Sequence, residues 1–247
     1  MNRQERRRQK ILQGQRGGRP LKDGAAQDLF QQAMGVHQQG DVAGALALYK
    51  RILENNPKHA DTLALAGMAC CQTDDLESGI DYLQQSVAVA PHNLDAQFNL
   101  GQALEGSERF EEAIPPYQKV AEIEPGNVEV HFHLGTIFHS LEQYDNAAKH
   151  LRQVIALMPD HADAHSNLGV ALTKLKEFDE AEISLRKALS LKTEDGVTLS
   201  NLGIVLKELN RLEESAETHQ RAVTLLPDYA EGHGNLGNTL SQQGLLH

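Results

Sequence analysis

The sequence has no tryptophan, few other aromatics, only two cysteines and no long apolar run. Each shortage excludes something. A membrane-spanning helix needs about 18 or more consecutive apolar residues, and a secretory leader needs an apolar stretch of roughly 7–15 after its basic start. Neither is encoded, so the expected location is cytoplasmic. The cysteines are the neighbours Cys70 and Cys71, whose side chains on a helix point apart, so a disulfide between them would be badly strained and a reducing compartment fits best. Cations are scarce outside the first 22 positions, which hold eight of the 23 Lys and Arg residues with only Glu5 against them. The remaining body is acidic, which argues against nucleic acid along its surface, since phosphate binding needs a basic stripe. No nucleophile elbow, phosphate loop or dinucleotide fingerprint occurs, so the chain alone is not read as an enzyme and no cofactor is expected.

What the sequence does contain is repetition. In residues 94–127, Ala96, Leu100, Gly101 and Leu104 fall on one helical stripe, a polar turn follows through Ser107, Glu108 and Arg109, and Phe110, Ala113, Tyr117 and Val120 form a second stripe. Steps of 34 residues connect Pro57, Pro91, Pro125 and Pro159, skip Thr193 and reach Pro227. The same step connects Gly67, Gly101, Gly135, Gly169, Gly203 and Gly237, with Ala33 in the first unit. Glycine inside a helix costs about 1 kcal/mol relative to alanine, so six at one phase need an offsetting reason. Close helix approach supplies it: the second helix offers Ala45, Gly79, Ala113, Ala147, Ala181 or Ser215, small enough for helix axes roughly 8 Å apart.

Period, small residues, the aromatic or leucine of the second helix and the terminal proline are similar to the tetratricopeptide repeat over residues 26–247. The early tryptophan common in that family is replaced by Leu29, Leu63, Gln97, His131, His165, Leu199 and His233. The resemblance implies an all-α, right-handed superhelical solenoid of antiparallel helix pairs with about six and a half repeats. These span 26–59, 60–93, 94–127, 128–161, 162–195 and 196–229, with a half repeat at 230–247. Helix pairs are expected at 26–39 and 42–55, 60–72 and 76–89, 94–106 and 110–123, 128–140 and 144–157, 162–174 and 178–191, and 196–208 and 212–225. Pro115 and Pro116 are expected to delay the start of their helix. Residues 1–24 read as a disordered basic tail, either merely solvated or in electrostatic contact with nucleic acid or an acidic surface. The last helix keeps an apolar stripe, including Leu236, Leu240 and Leu246, so its partner helix is expected beyond residue 247.

In such a repeat, positions 2, 5, 6, 9, 12 and 13 of each first helix lie opposite the buried stripe and face a concave groove. Position 6 reads Gln31, Leu65, Asn99, His133, Asn167, Asn201 and Asn235. An asparagine amide offers an acceptor and two donors, so a row one helix layer apart can pair with the main chain of an extended peptide. The surrounding pattern, S-N-L-G-V-A-L at 166–172 and G-N-L-G-N-T-L at 234–240, resembles the asparagine ladder in the repeat arm of O-linked N-acetylglucosamine transferases and their bacterial relatives. That resemblance implies peptide contact at Asn99, Asn167, Asn201 and Asn235, with His133 in the same row. The other reading of the row is a solvated asparagine copied by duplication.

Position 2 carries Asp61, Asp95, Glu129, Asp163 and Glu231, where chaperone-binding relatives use cations to hold a terminal carboxylate. A neutral or basic segment is therefore the better ligand. First-turn carboxylates also favour the helix dipole whatever binds. Of the twelve histidines, only His161 and His165 have metal-like i, i+4 spacing, no cysteine joins them, and most histidines are expected on the surface or groove. Cys70 falls on the buried stripe and Cys71 on the groove. Two functions follow: a protein-interaction scaffold for an extended segment, or the substrate-recruiting arm of a longer transferase.

Overall fold

A computed structural model describes residues 23–244, and they are all helix and turn, with no strand among them. Thirteen helices run in order: α1 Asp23–Gln38, α2 Val42–Asn55, α3 Ala60–Gln72, α4 Leu76–Val89, α5 Leu94–Gly106, α6 Phe110–Ile123, α7 Val128–Ser140, α8 Tyr144–Leu157, α9 Ala162–Leu175, α10 Phe178–Leu191, α11 Gly196–Glu208, α12 Leu212–Leu225 and α13 Ala230–Gln242. Most of the expected basic tail and Leu246 lie outside the described residues. Contacts divide the chain into two compact units between Pro116 and Tyr117, inside α6. The first holds α1 to α5 and the second α7 to α13.

Local chemistry sets the helix ends. Asp41, His59, Asp75, Asn93, Asn127, His161 and Asp195 each stand at an N-cap, and each side chain accepts a backbone N–H from the first turn. Such caps contribute about 1 kcal/mol each. His59 and His161 do this with Nδ1 in place of an oxygen. The turn joining each first helix to its second places one residue in the left-handed region: Gly40, Asp74, Glu108, Glu142, Lys176 and Asn210, with Gly244 on the same lattice after α13. The chain must reverse within three residues there, and five of the seven positions do so with a side chain in a conformation that glycine adopts more cheaply.

Inside each hairpin the glycine line is packed tightly. A Cβ at Gly169 would lie 2.5 Å from Leu185 Cγ and 3.3 Å from the carbonyl of Ala181, and one at Gly135 would lie 2.8 Å from Leu151 Cγ. In the first unit, a Cβ at Gly67 would lie 2.6 Å from Leu83 Cγ and 2.9 Å from the Gly79 carbonyl. The glycine thus receives the leucine sixteen residues ahead, and the small residue facing it contributes its backbone. A Cβ at Gly237 would meet nothing within 4 Å.

The expected late start of α6 does not occur: the helix begins at Phe110 with Pro115 and Pro116 inside it. The reason is local. The first helical bond, Ala113 N–H to Arg109 O at 3.1 Å, lies upstream of both prolines. The carbonyls four residues before them belong to Glu111 and Glu112, which are exposed and can turn to water.

Candidate functional site

In the first unit the groove positions come together as a trough. Phe30 and Met34 of α1, Leu65 and Met68 of α3 and Phe98 of α5 line an apolar cavity of about 550 Å³, with Asp61 and Asp95 among its walls. A neighbouring cavity of about 250 Å³ is lined by Cys71, Gln72, Asn99 and Gln102 among others. Met68 and Asn99 belong to both. On α3 the lining residues are Asp61, Ala64, Leu65, Met68, Cys71 and Gln72, the six positions that helical geometry assigned to this face. Asp61 and Asp95 are exposed and make no ion pair among the described residues. Burial pushes the Cys71 thiol up, reinforced by Cys70, so it is protonated at neutral pH and not activated.

In the second unit position 6 is polar throughout. His133, Asn167, Asn201 and Asn235 are half-buried on α7, α9, α11 and α13. His133 stacks on Tyr117, with ring centroids 5.0 Å apart and planes 8° from parallel, and its Nε2 lies 3.9 Å from Glu129. Asn235 Nδ2 donates to Ser200 Oγ at 3.3 Å, which occupies one of its two donors. Ser166 and Thr198 hydroxyls meet at 2.8 Å between α9 and α11. The side-chain amides of Asn167 and Asn201, and of Asn99 in the first unit, make no hydrogen bond among the described residues.

Among the described histidines, His131, His165 and His219 are buried and the others are half-buried or exposed. His165 Nε2 donates to the Pro159 carbonyl at 2.9 Å, His131 to Pro125 at 3.2 Å and His233 to Pro227 at 2.8 Å. Gln97 does the same to Pro91 at 3.1 Å. In these four repeats the position where relatives carry tryptophan supplies an N–H to the carbonyl of the proline that ends the previous repeat. Pattern alone could have suggested this, since His, Gln and Trp all carry an N–H and a proline stands six residues before each of these four residues. His161 and His165 both have ring nitrogens committed to backbone, and no group of three metal-ligating side chains occurs among the described residues.

Two further histidines sit on second helices, His150 half-buried and His219 buried. His150 Nδ1 lies 3.0 Å from His131 Nδ1 and donates to it, since the proton of neutral His131 is on Nε2 facing Pro125, and burial, then His131 and Lys149, lowers His150 to about 4. His219 is fully buried against Gly203, where the other second-unit repeats use Leu151 and Leu185, and neither ring nitrogen has a hydrogen-bond partner. Burial, with Lys207 adding to it, lowers His219 to about 4.

Family models described as tetratricopeptide or TPR repeats match residues 30–88, 72–128, 135–176 and 162–195, together more than half of the chain. No curated protein matches. Among solved structures, YrrB, described as a TPR protein with an unusual peptide-binding site, is 18% identical, covers 75% of this chain and 96% of its own, and superposes with a TM-score of 0.68. MamA from Desulfovibrio magneticus RS-1 is 20% identical over 69% of this chain and 97% of its own, with a TM-score of 0.64. The AMB-1 form of MamA is 23% identical over 70% and 94%, with a TM-score of 0.65. At these identities the likeness is one of fold, an all-α superhelical repeat. With the 34-residue lattice, the hairpin packing and these matches in agreement, the chain belongs to the tetratricopeptide repeat proteins.

Proposed function

We infer that the chain is a protein-interaction scaffold that holds an extended peptide segment on the exposed face of its first helices. The observation that carries this reading is the state of the asparagine amides. Asn167 and Asn201 sit half-buried on successive first helices of the second unit with donors and acceptors unused among the described residues. Water-accessible amides that the fold leaves unused can pair with a bound main chain, each such hydrogen bond contributing about 0.5–1.5 kcal/mol net. Asn235 keeps its carbonyl and one N–H for the same use, His133 continues the row on α7, and Asn99 presents the same group in the first unit. Recognition through main-chain groups suits an extended segment of varied sequence. The unpaired Asp61 and Asp95 favour a neutral or basic one. YrrB, with the same fold, is described as having a peptide-binding site, which supports the class of ligand. The alternative of a recruiting arm for a transferase draws no support from the matches, all of which describe the repeat itself.

The test is an array of synthetic 12-residue peptides probed with the chain, followed by titration of the best binder against a variant carrying Asn99→Ala, Asn167→Ala, Asn201→Ala and Asn235→Ala. Affinity should fall by about tenfold or more if half the amides are engaged, while the helical melt holds or rises slightly, alanine being the better helix former. Equal affinities would leave the row an inheritance of duplication and sink the reading.

A further inference from the structure

The trough of the first unit combines three features, of which the methionines have no counterpart at the same positions of the second. It is apolar, it contains two methionines, and it has two carboxylates without ion-pair partners among the described residues. Its volume of about 550 Å³ lies within the ~300–1,000 Å³ of pockets that enclose a ligand. Methionine lets such a surface adapt to aliphatic side chains of irregular shape. The occupant that fits is therefore a segment with a bulky aliphatic pair and adjacent cations.

The chain carries such a segment. Ile11 and Leu12 stand among Arg6, Arg7, Arg8, Lys10 and Arg16, just ahead of α1. Eight cations less the one carboxylate, Glu5, leave +7 on residues 1–22, so the remaining residues carry −18 of the total −11. Reach is no obstacle. Leu12 lies eleven residues before Asp23, and eleven extended residues span up to ~36–40 Å. Phe30 and Met34 lie only ~10–17 Å along α1 at 1.5 Å per residue. A short tether holds its end at an effective concentration on the order of millimolar, so even a weak contact is populated.

We propose that the trough of α1, α3 and α5 is a docking site for the chain's own basic N-terminal segment, with Ile11 and Leu12 in the apolar cavity and the neighbouring arginines against Asp61 and Asp95. The segment then competes with any external ligand of the first unit, which must displace it. Asn99 belongs to both the trough and the asparagine row, but the docking is tested at Asp61, Asp95 and the methionines, so each reading can fail without the other.

The experiment uses the full chain with Leu12→p-benzoylphenylalanine, irradiated and digested for mass spectrometry. The expected product is monomeric, with adducts on Met34, Met68 or their neighbours in the trough. Its yield should fall about tenfold in a chain that also carries Asp61→Lys and Asp95→Lys, and should fall likewise at 1 M salt. Circular dichroism verifies that the charge variant keeps its helices, and Ile11→Ser, a change in the segment alone, should lower the yield without altering any residue of the trough. Adducts elsewhere, adducts between two chains, or a yield indifferent to the aspartate changes would overturn the proposal.

Discussion

His219 concentrates the residue-scale physics. Its ring fills a site that leucine fills in the other second-unit repeats, and two nitrogens are desolvated there with no partner. Burial holds the folded pKa near 4, against 6.5 for the free side chain. The unfolded chain therefore takes up a proton first as pH falls. Stability from the neutral ring is complete above pH 6.5, declines below it and is lost by pH 4. Between pH 7 and 5 this one group removes about 2 kcal/mol. His219→Leu should flatten that part of the stability–pH curve and raise the melt at neutral pH as well, because no polar atom is left unpaired. Urea titrations of parent and variant at pH 7 and 5 measure both effects, and parallel curves would mean that the ring is solvated.

At the scale of the element, the hairpin turn is the part most open to improvement. Lys176 holds φ at 64° at the end of α9, with its N–H on Thr173 O and Leu172 O. A side chain in this region costs about 1 kcal/mol, and Gly40 holds the equivalent turn without that cost. Lys176→Gly should therefore raise stability by about 0.5–1 kcal/mol, read as a higher urea midpoint at unchanged slope. A lower midpoint would mean that the unfolded-state entropy gained by glycine outweighs the relief of strain. The six turns between described helix pairs would respond alike except at Gly40, since they share one backbone path.

For the whole molecule, charge is the uneven quantity. The folded body carries its −18 with few cations, apart from ion-paired clusters such as Glu182 with Arg186 and Arg211. At Glu182 burial raises the carboxyl, and hydrogen bonds from the two arginines more than offset it, so the net shift is downward. Deleting residues 2–22 removes the concentrated positive charge and leaves the body's self-repulsion uncompensated. The shortened chain should melt about 2–4 °C lower than the full chain in ~10 mM salt, and the gap should close in ~0.5 M salt, where screening acts within a few ångströms. A gap independent of salt would assign the effect to contacts other than charge.

Helix bounds were readable from the sequence because a 34-residue period repeats the same local signals: a cap, an apolar stripe, a small residue and a terminal proline. The face formed by Asp61, Ala64, Leu65, Met68, Cys71 and Gln72 was readable for the same reason, since 3.6 residues per turn determines which side chains point together. Partners were not. Lys176, Glu142 and Gly40 share a left-handed turn although their side chains have nothing in common, because closure of the hairpin imposes that backbone. Pro115 and Pro116 stay inside α6 because the bond that starts the helix is made before them. Asn167 and Asn235 are identical in the row, yet only Asn235 finds Ser200, and whether an amide is free depends on the helix beside it. The sequence by itself determined period, helix and face, which are properties of neighbours along the chain. Only the tertiary structure decided hydrogen-bond partners, buried histidines and the apolar trough, which depend on residues brought together from different helices.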